Sequence, residues 1–210
     1  MKVERVKYGD MDNNAYLITD EASGESALVD PGFFDENIER VVNEVGDKLK
    51  YILLTHRHFD HILGAKSVKE RTGAKICIHP KDACGLSHAG FSLAQSIGVS
   101  QSALTPDYTF NETSKVRLGE STLFVIETPG HTVGSVCFLC NDCLLTGDTL
   151  FRLGVGRTDL PTGNYSQLKQ SLNRLYEMPG DYKVYPGHGN TSTLDVERTM
   201  NPFMIEARNK

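Results

Sequence analysis

The chain has 210 residues, with 22 Lys and Arg against 27 Asp and Glu and a formal net charge of −5. A chain of this length buries a real core as one large domain, taken as residues 1–210. The acidic balance, without any basic run, excludes nucleic acid as the main partner, and the lack of eighteen consecutive apolar residues excludes a membrane span.

Residues 1–8 alternate charged and apolar side chains and lack the continuous apolar core of a secretory signal, so a soluble, cytoplasmic protein is expected. Residues 2–8, 15–19 and 26–29 read as short strands separated by Gly, Asp and Asn turns, an antiparallel opening. A helix is predicted over residues 35–45, where Ile38, Val41, Val42 and Val45 follow the i, i+3, i+4, i+7 pattern. Tyr51-Ile52-Leu53-Leu54 is a continuous apolar run typical of a strand buried on both faces. A second helix is predicted over residues 62–71, stopped by Gly73, followed by a strand over 75–78. Residues 81–112, rich in Ser, Ala and Gly, fit either short helices or a loop. Strand signals resume at 116–118, 123–126, 135–139 and 143–145; residues 168–178 and 194–207 read as helices, with a strand at 182–185 between them. Strands interleaved with helices in two successive halves imply sheets sandwiched between helical layers.

Five cysteines, an odd number without a secretory signal, fit reduced thiols. Cys137, Cys140 and Cys143 include a Cys-x-x-Cys spacing that can bind zinc. Asn141-Asp142 reads instead as a hairpin turn between two apolar runs, and no second Cys or His pair follows at zinc-ribbon spacing, so these are assigned to packing.

The run Thr55-His56-Arg57-His58-Phe59-Asp60-His61 holds three of the seven histidines and one carboxylate. Neutral imidazole is the commonest ligand for zinc-like ions, and a nearby aspartate adds a charged oxygen. His56 and His58 are two apart, so in an extended chain they project from one face while Arg57 points away. Asp60 and His61 fall where the chain turns into the next helix. Three further segments place a polar residue after an apolar run and beside glycine: Thr128-Pro129-Gly130-His131, Thr146-Gly147-Asp148 and Tyr185-Pro186-Gly187-His188-Gly189.

His56-x-His58-x-Asp60-His61 with His131, Asp148 and His188, together with Asp30-Pro31-Gly32, resembles the complete ligand pattern of the metallo-β-lactamase superfamily. The resemblance implies a four-layer αββα sandwich with metals at the edge of two facing sheets. It assigns His56, His58 and His131 to one ion, Asp60, His61 and His188 to the other, and Asp148 as the bridge. Two Zn²⁺ per chain are expected, with iron or manganese as alternatives. Two ions sharing one water would lower its pKa enough to yield hydroxide near neutral pH, and Asp60 would orient that hydroxide as a catalytic residue.

Within the superfamily, His61 and the lack of a second-site cysteine depart from true β-lactamases, and His58 departs from the glutamate of flavodiiron proteins. Tyr185-Pro186-Gly187-His188-Gly189 with Asn201-Pro202-Phe203 resembles the short branch of glyoxalase II-like hydrolases, which cleave hydroxyacyl-glutathione thioesters. A small-molecule thioester, glutathione-derived or not, is the expected substrate. The short stretch after His188 leaves no room for the helical domain with which larger members grip glutathione. Arg157 matches a cationic glutathione-binding position, though Asp159 replaces an aromatic there; pairing of Arg157 with Asp159 is the structural alternative. The rival reading is a mononuclear iron persulfide dioxygenase, in which His56, His131 and Asp148 hold the metal; those enzymes usually carry Ala at position 187 and lack Gly189. A non-catalytic metal protein fits less well, because a structural zinc is closed by four ligands. His79 and His88 match no ligand segment.

Overall fold

The strand-like runs pair into two six-stranded sheets in the computed structural model, which describes residues 1–208. The first sheet holds β1 (Lys2–Tyr8), β2 (Asn13–Thr19), β3 (Ser26–Val29), β4 (Leu49–Leu53), β5 (Lys75–Ile78) and β6 (Tyr108–Thr109) in sequential order. The second holds β7 (Lys115–Leu118), β8 (Ser121–Glu127), β9 (Val136–Cys140), β10 (Cys143–Gly147), β11 (Lys183–Pro186) and β12 (Ser192–Thr193), ordered from β12 back to β7. The opening β1–β2–β3 is antiparallel, as expected, whereas β3 to β6 pair in parallel, as do β10 and β11.

Helices cover both outer faces. Against the first sheet lie α1 (Glu36–Val45), the single turn α2 (Phe59–Ile62), α3 (Ala65–Thr72) and the short α4 (Cys84–Ser87); against the second lie α5 (Tyr165–Tyr176), α6 (Leu194–Met200) and α7 (Pro202–Arg208). Three apolar clusters follow from this layering. One packs Ile38, Val41 and Val68 onto Ile52 and Ile76; a second joins the sheets through Tyr16, Val29, Phe138 and Leu145; the third packs Leu168, Leu172 and Met204 onto Leu144 and Val184. The architecture is the expected αββα sandwich.

Side-chain caps set the helix starts. Asp35 accepts from the N–H groups of Asn37 and Ile38 at 3.1 and 3.0 Å, and Asn164 accepts from Gln167 N–H at 3.0 Å. The helix predicted over 168–178 therefore begins at Tyr165. The helix predicted over 62–71 is divided at Gly64, where the backbone crosses so close to residues 31–33 that a β-carbon would lie 2.5 Å from the Pro31 carbonyl oxygen. The helix predicted over 194–207 breaks at Asn201, extended with ψ 116°, because Pro202 lacks an N–H and disfavours helical backbone before it. Residues 81–112 form α4, a 3₁₀ turn over Ala94–Ile97 and the edge strand β6. The Asn141-Asp142 turn is present, with Asn141 at φ 50°, Cys140 opposite Cys143, and all five cysteines unpaired.

The two sheets are joined where the expected ligands emerge. Asn14 N–H donates to Gly187 O at 2.8 Å, Tyr16 Oη to Pro186 O at 2.7 Å, and Val136 N–H to Thr55 O at 3.0 Å.

Candidate metal centre

Beyond β4 the chain bends at Thr55 and His56, and its polar groups are fixed from below. The Thr55 N–H and hydroxyl donate to the two Asp30 carboxylate oxygens at 2.7 and 2.5 Å, and the hydroxyl lies 3.0 Å from His56 Nδ1. His58 is extended and precedes α2, so Asp60 and His61 occupy that helix's single turn. Arg57 points away from both histidines, as the alternation requires: its guanidinium donates to Pro161 O at 3.1 Å and Thr162 Oγ1 at 2.7 Å.

Three overlapping groups of ligand-type atoms converge, each within 4.8 Å: Asp30 with His56 and His61, and the two expected sets, His56 with His58 and His131 and Asp60 with His61 and His188. Asp148 stands between the two expected sets. Its Oδ2 is 3.4 Å from His131 Nε2 and 3.5 Å from His188 Nε2, while its Oδ1 is 3.4 Å from His61 Nε2. All seven residues expected to form the centre thus meet at one place, from loops that follow β4, β8, β10 and β11.

The outward nitrogens of three rings are held by the protein, while inward nitrogens face one another, His58 Nδ1 2.9 Å from His131 Nε2 and His61 Nε2 3.2 Å from His188 Nε2, a convergence that suits a shared cation. His61 Nδ1 lies 3.0 Å from Asp30 Oδ2, His131 Nδ1 2.7 Å from Arg157 O, and His188 Nδ1 3.0 Å from Met11 O. His56 Nε2, His58 Nε2 and Asp148 Oδ1 are buried with no hydrogen-bond partner. Buried polar atoms are ordinarily paired, so the orphaned atoms of His56 and Asp148 fit a bound metal, whereas His58 turns Nδ1 rather than Nε2 toward His131.

The electrostatics agree. Burial, reinforced by the neighbouring imidazoles, pushes His58 down to about 3 and His56 well below its ordinary value, holding both in the neutral, ligating form. His61 behaves oppositely: burial disfavours its charge, but Asp148, Asp60 and Asp30 outweigh that and raise it to about 9. Three carboxylates around one imidazole demand positive charge, which a divalent ion supplies. Asp60 is held at about 2, since His61 and His188 overcome the effect of its burial, and Asp148 lies well below the ordinary carboxylate range for the same reasons.

Above the centre opens a cavity of about 450 Å³, floored by His58, Asp60, His131, Asp148 and His188 and walled by Met11, Leu93, Phe151, Val155 and Leu160. Arg157 also lines it, but its guanidinium makes a two-pronged bond to Asp159, at 2.7 and 2.6 Å, in the alternative arrangement considered above. His79 pairs with Glu127 at 3.0 Å and His88 is exposed beside Ser87; neither lines the cavity.

Sequence reasoning missed Asp82. Fully buried, it accepts from Arg57 N–H at 3.1 Å, Thr132 Oγ1 at 2.6 Å and Gly134 N–H at 3.1 Å, tying the His56–His58 loop to the His131 loop. Its one signal was position: it follows β5 as the other site carboxylates follow their strands. Asn13 was missed too, and its amide donates to Asp60 Oδ2 at 3.1 Å.

A family model described as the metallo-beta-lactamase superfamily matches residues 8–188. The chain is 32% identical over 209 residues to the hydroxyacylglutathione hydrolase GloC of Haemophilus influenzae, covering 97% of this chain and 98% of that protein. Among solved structures, the BLEG-1 B3 metallo-beta-lactamase is similar with a TM-score of 0.87 at 29% identity, over 97% of this chain and 99% of that one. TTHA1623 in a di-iron-bound form is similar with a TM-score of 0.84 at 34% identity, over 96% and 100%. With the match running from the end of β1 through every converging histidine and aspartate to His188, the chain belongs to the metallo-beta-lactamase superfamily and is a metal-dependent hydrolase of that fold.

Proposed function

We propose that the protein is a dinuclear thioester hydrolase of the hydroxyacylglutathione hydrolase type. His56, His58 and His131 would hold one ion and Asp60, His61 and His188 the other, with Asp148 available to both. The observation that carries this reading is the placement of Asp148 within 3.5 Å of ligand nitrogens from both groups. Zinc is the proposed resident metal; the imidazole and carboxylate donors also suit iron and manganese.

When bound, the ions supply Lewis acidity and lower the pKa of water. The chain's own groups do the rest. Asn13 fixes the Asp60 carboxylate, which accepts a hydrogen bond from the attacking water and aims it. The apolar wall receives the acyl group, and Arg157 at the mouth would meet an anionic part of the thiol only on exchanging its Asp159 partner. A departing thiolate is stable enough to leave without a protein acid, and the cavity lining offers no Cys or Ser nucleophile. Among the described residues no helix is long and apolar enough to cross a membrane, and the unpaired cysteines suit the reducing cytoplasm we propose as its location.

Metal analysis combined with turnover tests the reading. About two metals per chain and thiol release from a hydroxyacyl-glutathione are expected. One iron per chain with oxygen uptake on glutathione persulfide would establish the rival dioxygenase instead. Asp148→Asn is expected to lower occupancy at both positions, and loss of only one ion would contradict the shared ligand.

A further inference from the structure

The wall of the cavity is held by residues far along the chain. After Asp148 the backbone folds into a tight antiparallel turn in which Phe151 and Gly154 exchange backbone hydrogen bonds at 2.9 and 3.3 Å. Leu153, at its apex, is 44% exposed and left-handed, with φ 59°. A leucine stays in that region only where its surroundings impose it.

The imposing groups come from α6 and its end. Glu197 is fully buried, and its Oε2 accepts from Leu153 N–H at 2.8 Å and from Asn201 Nδ2 at 2.8 Å, while its Oε1 accepts from Ser192 Oγ at 2.5 Å. Asn201, also fully buried, donates from the same Nδ2 to Gly154 O at 3.1 Å, and its Oδ1 caps α7 by accepting from Phe203 N–H at 3.0 Å. Two buried polar side chains are thus committed to the backbone of one surface turn.

That turn bears directly on the centre. The Phe151 ring lies edge-on to His188, 5.8 Å between centroids, and Phe151 and Val155 form part of the cavity wall. Immediately beyond, Gly156 N–H donates to Asp148 O at 3.0 Å, and Arg157 O faces His131 Nδ1 at 2.7 Å. The segment is anchored to the metal ligands at both ends, and only its apex depends on Glu197 and Asn201.

We propose that Glu197 and Asn201 are positioning residues, a latch that sets the wall against which the substrate's acyl group packs and so determines apparent affinity and acyl selectivity. The kinetic part rests on the thioesterase reading above; the latch itself does not.

The test uses the full-length, metal-loaded protein. In Glu197→Ala, amide hydrogen exchange should accelerate at residues 151–155 and not in β10 or α5. KM for a series of acyl-glutathiones should rise about tenfold while kcat stays within about twofold and metal content is unchanged. Glu197→Gln retains an oxygen that can accept from Leu153 and Asn201, and it should restore both exchange and KM. Asn201→Ser keeps a capping oxygen for α7 but loses the donor to both Gly154 and Glu197, and should raise KM as Glu197→Ala does. It provides the same reading if Glu197→Ala fails to fold. Unchanged exchange and KM in the folded variants, or a fall in kcat and metal content at constant KM, would overturn the latch. If the wild type turns over no thioester, the functional reading fails while the exchange measurement still decides the latch.

Discussion

Gly187 approaches Asp148 so closely that a β-carbon at position 187 would lie 2.3 Å from Asp148 Oδ1 and 2.8 Å from His61 Cε1. Both contacts are on the Asp60, His61 and His188 side of the centre. The added methyl of Gly187→Ala would push the shared carboxylate and His61 apart. Because Asp148 is the proposed shared ligand, we expect metal content to fall at both positions, and further at Asp60, His61 and His188, where His61 is displaced as well. Elemental analysis checks this, and a variant that retains both ions would refute the steric account.

Asp82 touches no proposed ligand, yet it fixes the backbones of two ligand loops. Burial raises its pKa, and the donors from Thr132, Gly134 and Arg57 only partly offset that. Replacing it with alanine should weaken metal retention at His56, His58 and His131 by roughly 10–100-fold, the usual effect of losing a ligand's supporting shell. Competition with a chelator would show one ion leaving early and the other at its normal rate. Equal loss of both would assign Asp82 to general stability.

Arg157 holds Asp159 at about 2, so that carboxylate stays ionised across any ordinary assay range and the arginine at the cavity mouth is neutralised throughout. Asp159→Ala frees the guanidinium. KM for a thioester of an anionic thiol such as glutathione should fall by about two- to fivefold, in keeping with a solvent-exposed ion pair. KM for a neutral thioester should not move. Steady-state kinetics on the two substrates, run at low and moderate salt, separates the outcomes.

Asp107 anchors the edge of the first sheet, accepting from Lys69 Nζ at 2.7 Å and Ile76 N–H at 2.9 Å. Partial burial raises its pKa, but those bonds prevail and the net shift is downward from 3.8. A carboxyl whose pKa is depressed on folding stabilises the native state above its unfolded value, and this contribution is lost as pH falls through the folded value. The stability difference between wild type and Asp107→Asn should therefore be constant at neutral pH and close below about pH 4. Denaturant melts at several pH values measure it.

The metal ligands could be read from the chain because their chemistry admits few residue types and because each follows an apolar run that could only be a buried strand. Helix periodicity located α1 and α5 for a similar reason: Ile38, Val41 and Val42, and Leu168, Leu172 and Leu175, repeat on one face. What escaped depends on contacts between distant segments. Gly64 interrupts a helical pattern only because residues 31–33 pass beside it. Asp82 becomes part of the site only because Thr132 and Gly134 come to it. Arg157 has the same sequence neighbours whether it faces a ligand or Asp159, and only its side-chain torsions decide. Pro202 is the exception, a local signal strong enough to break a helix that the apolar spacing alone would continue.

Hydrogen bonds from Asn14 and Tyr16 to residues 186 and 187 join β2 of the first sheet to β11 of the second beneath the centre. The proposed ligands divide along that seam: His56, His58, Asp60 and His61 belong to the first half of the chain, His131, Asp148 and His188 to the second. Neither group can be completed by one half alone. Because these pairings span more than a hundred residues of chain, closing them costs loop entropy that the docked sandwich must offset. Ions that bind only the closed sandwich add their binding free energy to its stability. Metal uptake would then favour chains whose two halves have docked in register, since each proposed ligand group draws on both.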